Sequence, residues 1–140
     1  MRTYIFACIH NAGRSQISAA FFNQLADAGR ATAISAGTNP GERVHPVVVD
    51  VMREVGIDLE SAKPQKLTAE LAAGAEMLIT MGCGEQCPHV PGLRRQDWPL
   101  TDPKGRPLDE VRAVRDEIRR RILDLIASEG LRQTGSALES

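Results

Sequence analysis

YIFACIHNAGRS, residues 4–15, joins a short apolar run to a polar loop that is rich in small residues. An apolar run of this length that turns abruptly polar is typical of a strand buried on both faces of a parallel sheet. Apolar residues then recur at helical spacing from Arg14 to Ala28, and the pattern stops at Gly29. The stretch therefore predicts a strand, a loop and a helix over 14–28, which is the beginning of a βαβ unit.

The rest of the chain repeats this alternation. We expect strands over 31–36, 76–81 and 94–98, and helices over 47–55, 68–73 and 111–126. The pattern predicts an α/β domain with a parallel sheet, helices on both faces and a ligand site at the carboxyl ends of the strands. A chain of 140 residues fits one domain. We therefore expect a single catalytic domain over 1–128 and a frayed tail over 129–140.

Charge and composition limit the partners. The formal net charge is −1, so no long-range field attracts nucleic acid or an anionic membrane. No apolar run reaches the length of a membrane span, and the first residues do not resemble a secretory signal. We expect a cytoplasmic monomer without nucleic-acid or membrane partners. In that compartment the three cysteines are core residues, metal ligands or redox-active thiols.

Residues 8–15, here called the anion loop, lie between the first strand and the first helix. Backbone N–H groups and the positive end of a helix at this point can bind a tetrahedral oxyanion. Gly13 and Asn11 allow the left-handed backbone that curls a loop, and Arg14 can bind two oxygens at once. Cys8 is the candidate nucleophile, with Ser15 as a hydrogen-bond donor to its sulfur. The predicted oxyanion-binding residues are Cys8, Ile9, His10, Asn11, Ala12, Gly13 and Arg14.

Each part alone has an ordinary explanation, because a cysteine at a strand end is usually core and an arginine in a first helical turn is usually solvated. Their combination in this position favours a functional loop. The sequences CIHNAGRSQ (8–16), SAGT (35–38), TMGC (80–83) and TDP (101–103) together resemble arsenate reductases with the low-molecular-weight tyrosine phosphatase fold. The resemblance covers residues 3–127. It implies a four-stranded parallel sheet of order 2-1-3-4 with helices on both faces.

Two further cysteines follow the third strand. If strands one and three are neighbours, about 4.8 Å apart, Cys83 can reach Cys8 by a modest loop movement. Bonding Cys83 to Cys87 requires the segment to distort, because residues four apart in a helix hold their Cβ atoms farther apart than a disulfide allows. Gly82, Gly84 and Pro88 make that distortion inexpensive. A zinc site built from Cys83, Cys87 and His89, and a purely structural role, are the alternatives.

The resemblance implies a relay of thiols that needs no metal or other cofactor. Cys8 attacks arsenate, Cys83 attacks Cys8 to release arsenite, and Cys87 attacks Cys83 to leave an outer disulfide. Thioredoxin would reduce that disulfide; mycothiol or glutathione, with a glutaredoxin-like protein, is the alternative reductant. Phosphate or sulfate can occupy the same loop as arsenate.

Asp102 is the candidate general acid. The resemblance implies that the Asp of this Asp-Pro pair protonates the departing oxygen, and Asp97 is the weaker competitor. The three histidines, His10, His45 and His89, receive no catalytic role. Some family members bind potassium through residues that match Asn11 and Ser35, but Ala19 stands where a Glu ligand would fall, which argues against a potassium site.

Two other functions remain open from the sequence. A low-molecular-weight protein tyrosine phosphatase would use Cys8, Arg14 and Asp102 with water as the second nucleophile. Lys104 and Gly105 follow the Asp-Pro pair, where such phosphatases carry aromatic residues, and a phosphatase does not need the two later cysteines. A redox-sensing, anion-binding module would oxidise and signal without turnover.

Overall fold

The computed structural model describes residues 1–82 and 90–133, and they form a layered α/β fold. Four parallel strands make one sheet of order β2-β1-β3-β4, as the resemblance implied. The elements are β1 (Arg2–Cys8), α1 (Arg14–Leu25), β2 (Ala31–Gly37), α2 (Pro46–Arg53), α3 (Ala69–Ala73), β3 (Met77–Thr80), β4 (Arg94–Asp97) and α4 (Leu108–Ser128). Within the described ranges, no helix is both long and apolar enough to cross a bilayer.

The central strand β1 has core on both of its faces. Tyr4, Phe6 and Cys8 point into a large cluster that also holds buried side chains of α1, α2 and α4. Ile5 and Ala7 alternate with them and point into a smaller cluster beside α3. Because neighbouring residues of a strand face opposite sides, a continuous apolar run is what a strand covered on both faces requires. The expected helices on both faces are confirmed, with three on one side and α3 on the other.

The first helix is shorter than its apolar spacing predicts. It ends at Leu25, and Ala26 already has extended backbone. The cause is a long-range contact, since Ala26 forms an antiparallel bridge with Arg132 near the end of the described chain. The other elements match their predictions to within a few residues.

Residues 129–133 pack against the sheet and α1. The Tyr4 hydroxyl donates a 2.6 Å hydrogen bond to Glu129, which also pairs with Arg94 of the edge strand. Burial, helped by Glu129, raises the pKa of Tyr4 to about 12. Leu131 is fully buried. The packed chain therefore continues past the boundary expected at residue 128, because Leu131 completes the core; residues 134–140 lie outside the described residues.

Candidate active site

The anion loop begins where the central strand ends. Residue Ala7 of β1 pairs with Ala36 of β2 on one side and with Thr80 of β3 on the other. The Met81 N–H then donates to the Ala7 carbonyl at 2.8 Å, so β1 and β3 end side by side. Parallel topology thus places the loop after β1 and the chain that leads to Cys83 at the same edge of the sheet.

The backbone carbonyls of the anion loop are bonded to the segment after β2. Carbonyl oxygens of residues 8, 9, 10 and 12 accept from the N–H groups of Thr38, Asn39, Gly41 and His45, at distances between 2.8 and 3.3 Å. In the described ranges, no N–H group of residues 9–15 has a protein acceptor. With its carbonyls held on the outside, the loop keeps a set of N–H donors for an anion, as predicted.

Asn11 is the residue that curls the loop. It has a left-handed backbone, φ 52°, and its side chain is fully buried. Its Oδ1 accepts from the Gln65 N–H at 3.0 Å and from Gln16 Nε2 at 3.2 Å, and its Nδ2 donates to Ser15 Oγ at 2.7 Å. The side chain therefore ties the loop to the first helix and to the segment before α3.

Cys8 lies at the base of the loop and is 3% exposed. Its sulfur is 2.9 Å from Ser15 Oγ. Because Ser15 Oγ already accepts from Asn11, its hydroxyl proton is available to the sulfur. A hydroxyl donor and the nearby N–H groups stabilise negative charge on sulfur, which is the reactive form of a cysteine.

Arg14 is held against the loop between β4 and α4, here called the acid loop. Its Nη1 donates to the Leu100 carbonyl at 3.1 Å, and its Nη2 lies 3.7 Å from Asp102 Oδ2. The side chain is only 10% exposed. A guanidinium fixed in this way beside free N–H donors can bind two oxygens of a tetrahedral anion.

The structure brings Asp102, and not Asp97, to this site. Asp102 Oδ1 accepts from the Lys104 N–H at 3.0 Å, and its carboxylate stays half-exposed above Arg14. Asp97 instead accepts from Thr80 and pairs with Arg95 at the sheet edge. Of the two candidate acids, only Asp102 stands where it can protonate a group held by Arg14.

Gly13 corrects one expectation about the loop. Its φ is −142°, outside the left-handed region in which we expected it. A Cβ at this position would lie 3.1 Å from Pro103 Cγ and 3.6 Å from the His45 ring. The absence of a side chain therefore serves the close approach of the acid loop, which brings Asp102 over the site.

Sequence reasoning missed three contributors to the site. Gln65 and Leu100 act through backbone groups, whose partners no sequence pattern specifies. His45 was treated as an ordinary loop residue, but it precedes α2, donates its N–H to Ala12 and lies beside Gly13. Burial lowers the pKa of His45, against an opposing effect of the Asp102 carboxylate. Its position just before Pro46 was the available signal.

The cation sites considered from the sequence find no support here. Asn11 Oδ1 is occupied by Gln16 and Gln65, and Ala19 leaves the place of the missing Glu apolar. Across residues 1–82 and 90–133, no three His, Cys, Asp or Glu side chains are grouped to hold a metal. Cys83, Cys87 and His89, and with them the proposed relay and the zinc alternative, lie outside the described residues.

Two curated relatives are similar over nearly the whole chain. A putative arsenate reductase of Halobacterium salinarum is 36% identical, over 86% of this chain and 87% of that protein. A glutaredoxin arsenate reductase of Synechocystis sp. is 34% identical, over 91% of this chain and 98% of that protein.

Solved structures agree with the sequence relatives. A thioredoxin-dependent arsenate reductase of Corynebacterium glutamicum superposes with a TM-score of 0.79 at 35% identity, over 91% of this chain and 61% of that chain. An arsenate reductase in a phosphate-binding state superposes with a TM-score of 0.78 at 32% identity, over 91% and 98%. The family model described as low molecular weight phosphotyrosine protein phosphatase matches residues 3–136. The chain therefore belongs to the low molecular weight phosphotyrosine protein phosphatase family, in which its similar relatives are arsenate reductases.

Proposed function

We propose that this protein reduces arsenate to arsenite. The observation that carries the proposal is the arrangement of the anion loop. A buried Cys8 sulfur, supported by Ser15, lies at the base of a loop with free N–H donors, and Arg14 and Asp102 lie together at its side. The relatives named as arsenate reductases support arsenate as the oxyanion. Phosphate and sulfate share its shape and charge and are expected to compete for the loop.

The first step forms a bond between sulfur and arsenic. The Cys8 thiolate attacks arsenic(V), and one arsenate oxygen leaves as water after Asp102 supplies a proton. The remaining oxygens accept from the loop N–H groups and from Arg14, which stabilise the negative charge as it builds up. The product is a covalent Cys8–arsenic(V) adduct.

The second step reduces arsenic. The Cys83 thiolate attacks the Cys8 sulfur, a disulfide forms, and the electron pair of the sulfur–arsenic bond stays with arsenic, which leaves as arsenite. Cys87 then attacks Cys83, releases the Cys8 thiolate and leaves a Cys83–Cys87 disulfide. Two thiols are thus oxidised for each arsenic(V) reduced to arsenic(III). The neighbouring ends of β1 and β3 support this order, because they bring the chain that leads to Cys83 to the edge where Cys8 lies.

A dithiol protein must then reduce the outer disulfide. We propose thioredoxin, which the name of the similar Corynebacterium structure supports for that protein. The Synechocystis relative is named for glutaredoxin, so glutathione or mycothiol with a glutaredoxin-like protein is the alternative reductant.

Phosphatase activity is the second candidate, because Cys8, Arg14 and Asp102 also suit phosphoryl transfer. The aromatic residues argue against a phosphotyrosine substrate. The chain has three Phe, one Tyr and one Trp, and every one of them is buried in the core at 5% exposure or less. No aromatic side chain is therefore available to stack on a tyrosine ring, and we expect only weak hydrolysis of small phosphate esters.

The proposed function is tested by measuring arsenite from arsenate with thioredoxin, its reductase and NADPH. We expect Cys83→Ser and Cys87→Ser both to stop steady-state turnover. In a single turnover, Cys87→Ser should still release arsenite and keep a Cys8–Cys83 disulfide, whereas Cys83→Ser should release none. Absence of arsenite with thioredoxin, mycothiol and glutathione systems, together with phosphate-ester hydrolysis that needs neither cysteine, would establish the phosphatase instead.

Asp102→Asn should lower kcat/KM for arsenate by about 10²-fold or more, because a general acid contributes about that much. The matched control is Asp97→Asn, which removes a carboxylate bonded only to Thr80 and Arg95 and should leave kcat/KM within about twofold. Steady-state kinetics of both variants decide between the two acids. A larger loss for Asp97→Asn would contradict the assignment.

A further inference from the structure

Gly82 ends the described part of the chain after β3, directly before Cys83. Its backbone is left-handed, with φ 88°. A Cβ built on Gly82 would lie 2.7 Å from Arg14 Nη1 and 3.5 Å from Arg14 Cζ. The bare Cα of Gly82 is therefore one wall of the space that holds the Arg14 guanidinium.

The walls of that space belong to three segments that are distant in the sequence. Arg14 itself starts α1, the Leu100 carbonyl accepts from its Nη1 at 3.1 Å, and Asp102 lies 3.7 Å from its Nη2. The same nitrogen, Nη1, is bonded to Leu100 and lies closest to the Cβ position of Gly82. Any side chain at residue 82 must therefore move the atom that ties Arg14 to the acid loop.

The atom in the way is the far end of a flexible side chain and not backbone. A methyl group at residue 82 can thus be accommodated by rotating the Arg14 side chain, so the fold tolerates the change while the position of the guanidinium does not. The effect of such a substitution should fall on anion binding more than on stability.

We propose that Gly82 is a positioning residue for the oxyanion, which acts through Arg14: the absence of a side chain at residue 82 lets the guanidinium lie against Leu100 and face the anion loop. The proposal rests on the proposed function only in taking that loop as an oxyanion site. It does not depend on arsenate being the substrate or on the relay of cysteines.

The test is the affinity for inorganic phosphate, measured by isothermal titration calorimetry. Gly82→Ala should weaken phosphate binding by about 10-fold or more, since a charge-assisted contact is lost. Gly56→Ala is the matched control, because Gly56 has the same left-handed backbone, φ 84°, with no atom near its Cβ position. Both variants should show similar losses of melting temperature, but Gly56→Ala should bind phosphate like the native protein.

A second pair of variants removes most of the backbone strain. Asn tolerates the left-handed region better than Ala and carries the same Cβ, so Gly82→Asn should repeat the loss of affinity and Gly56→Asn should not. Native affinity in both Gly82 variants would overturn the proposal.

A double-mutant cycle tests whether Gly82 acts through Arg14. In an Arg14→Lys background, Gly82→Ala should change phosphate affinity by less than about twofold, because the displaced group is already gone. An equal loss in both backgrounds would overturn the proposal and indicate a structural role for Gly82. A native protein that binds phosphate but produces no arsenite would refute the proposed function and leave this assignment standing.

Discussion

Cys8→Ser is expected to abolish arsenite production while the folded protein still binds inorganic phosphate. The loss should be about 10⁴-fold or more, a size typical of removing a covalent nucleophile. The reason is twofold: a serine hydroxyl is a much weaker nucleophile than a thiolate, and it cannot enter a disulfide. Steady-state and single-turnover arsenite assays measure the loss, and both should fail, in contrast to Cys87→Ser.

Phosphate binding is the control for Cys8→Ser. The N–H groups of residues 9–15 and the Arg14 guanidinium remain in place, and the neighbouring hydroxyl of Ser15 can bond to a serine as it does to the sulfur. Phosphate affinity should therefore equal or exceed that of the native protein, since a negative sulfur no longer repels the anion. Substantial arsenite production by the variant would show that another thiol attacks arsenate first.

The fold could be predicted largely from local patterns. The buried strand, the polar loop and the amphipathic helix that follow each other over residues 4–25 need only near neighbours to form. The order of strands came from the resemblance, because no local pattern states which strands pair. The end of α1 escaped prediction for the same reason: Ala26 leaves the helix to pair with Arg132, more than a hundred residues later.

Gly13 shows where a correct residue had the wrong explanation. Sequence reasoning gave Gly13 and Asn11 the same task, a left-handed turn, and the structure gives it to Asn11 alone. Gly13 is needed because Pro103 packs on it, and that contact depends on how the acid loop folds over the sheet edge. The chemistry-bearing residues of the loop were recognisable from their spacing, whereas the groups that hold them, such as Leu100 and Gly82, depend on tertiary contacts.

Arg14→Lys is the second substitution with a large expected effect. It should lower kcat/KM for arsenate by about 10²- to 10³-fold, the range seen when one donor to a developing negative charge is lost. Lysine keeps the positive charge but replaces a planar fork with a single ammonium group. That group cannot both donate to Leu100 and bind two oxygens of the anion, which Arg14 can do because its nitrogens point in different directions.

The control for Arg14→Lys is Arg119→Lys, the same replacement at an exposed position of α4. Arg119→Lys should leave kcat/KM and the melting temperature unchanged, because a solvated charge retains its interactions with water. Steady-state kinetics should place the loss for Arg14→Lys in both kcat and KM, since the guanidinium faces the anion before and during the reaction. Near-native kcat/KM in Arg14→Lys would mean that charge alone is sufficient at this position, and the two-oxygen contact would have to be abandoned.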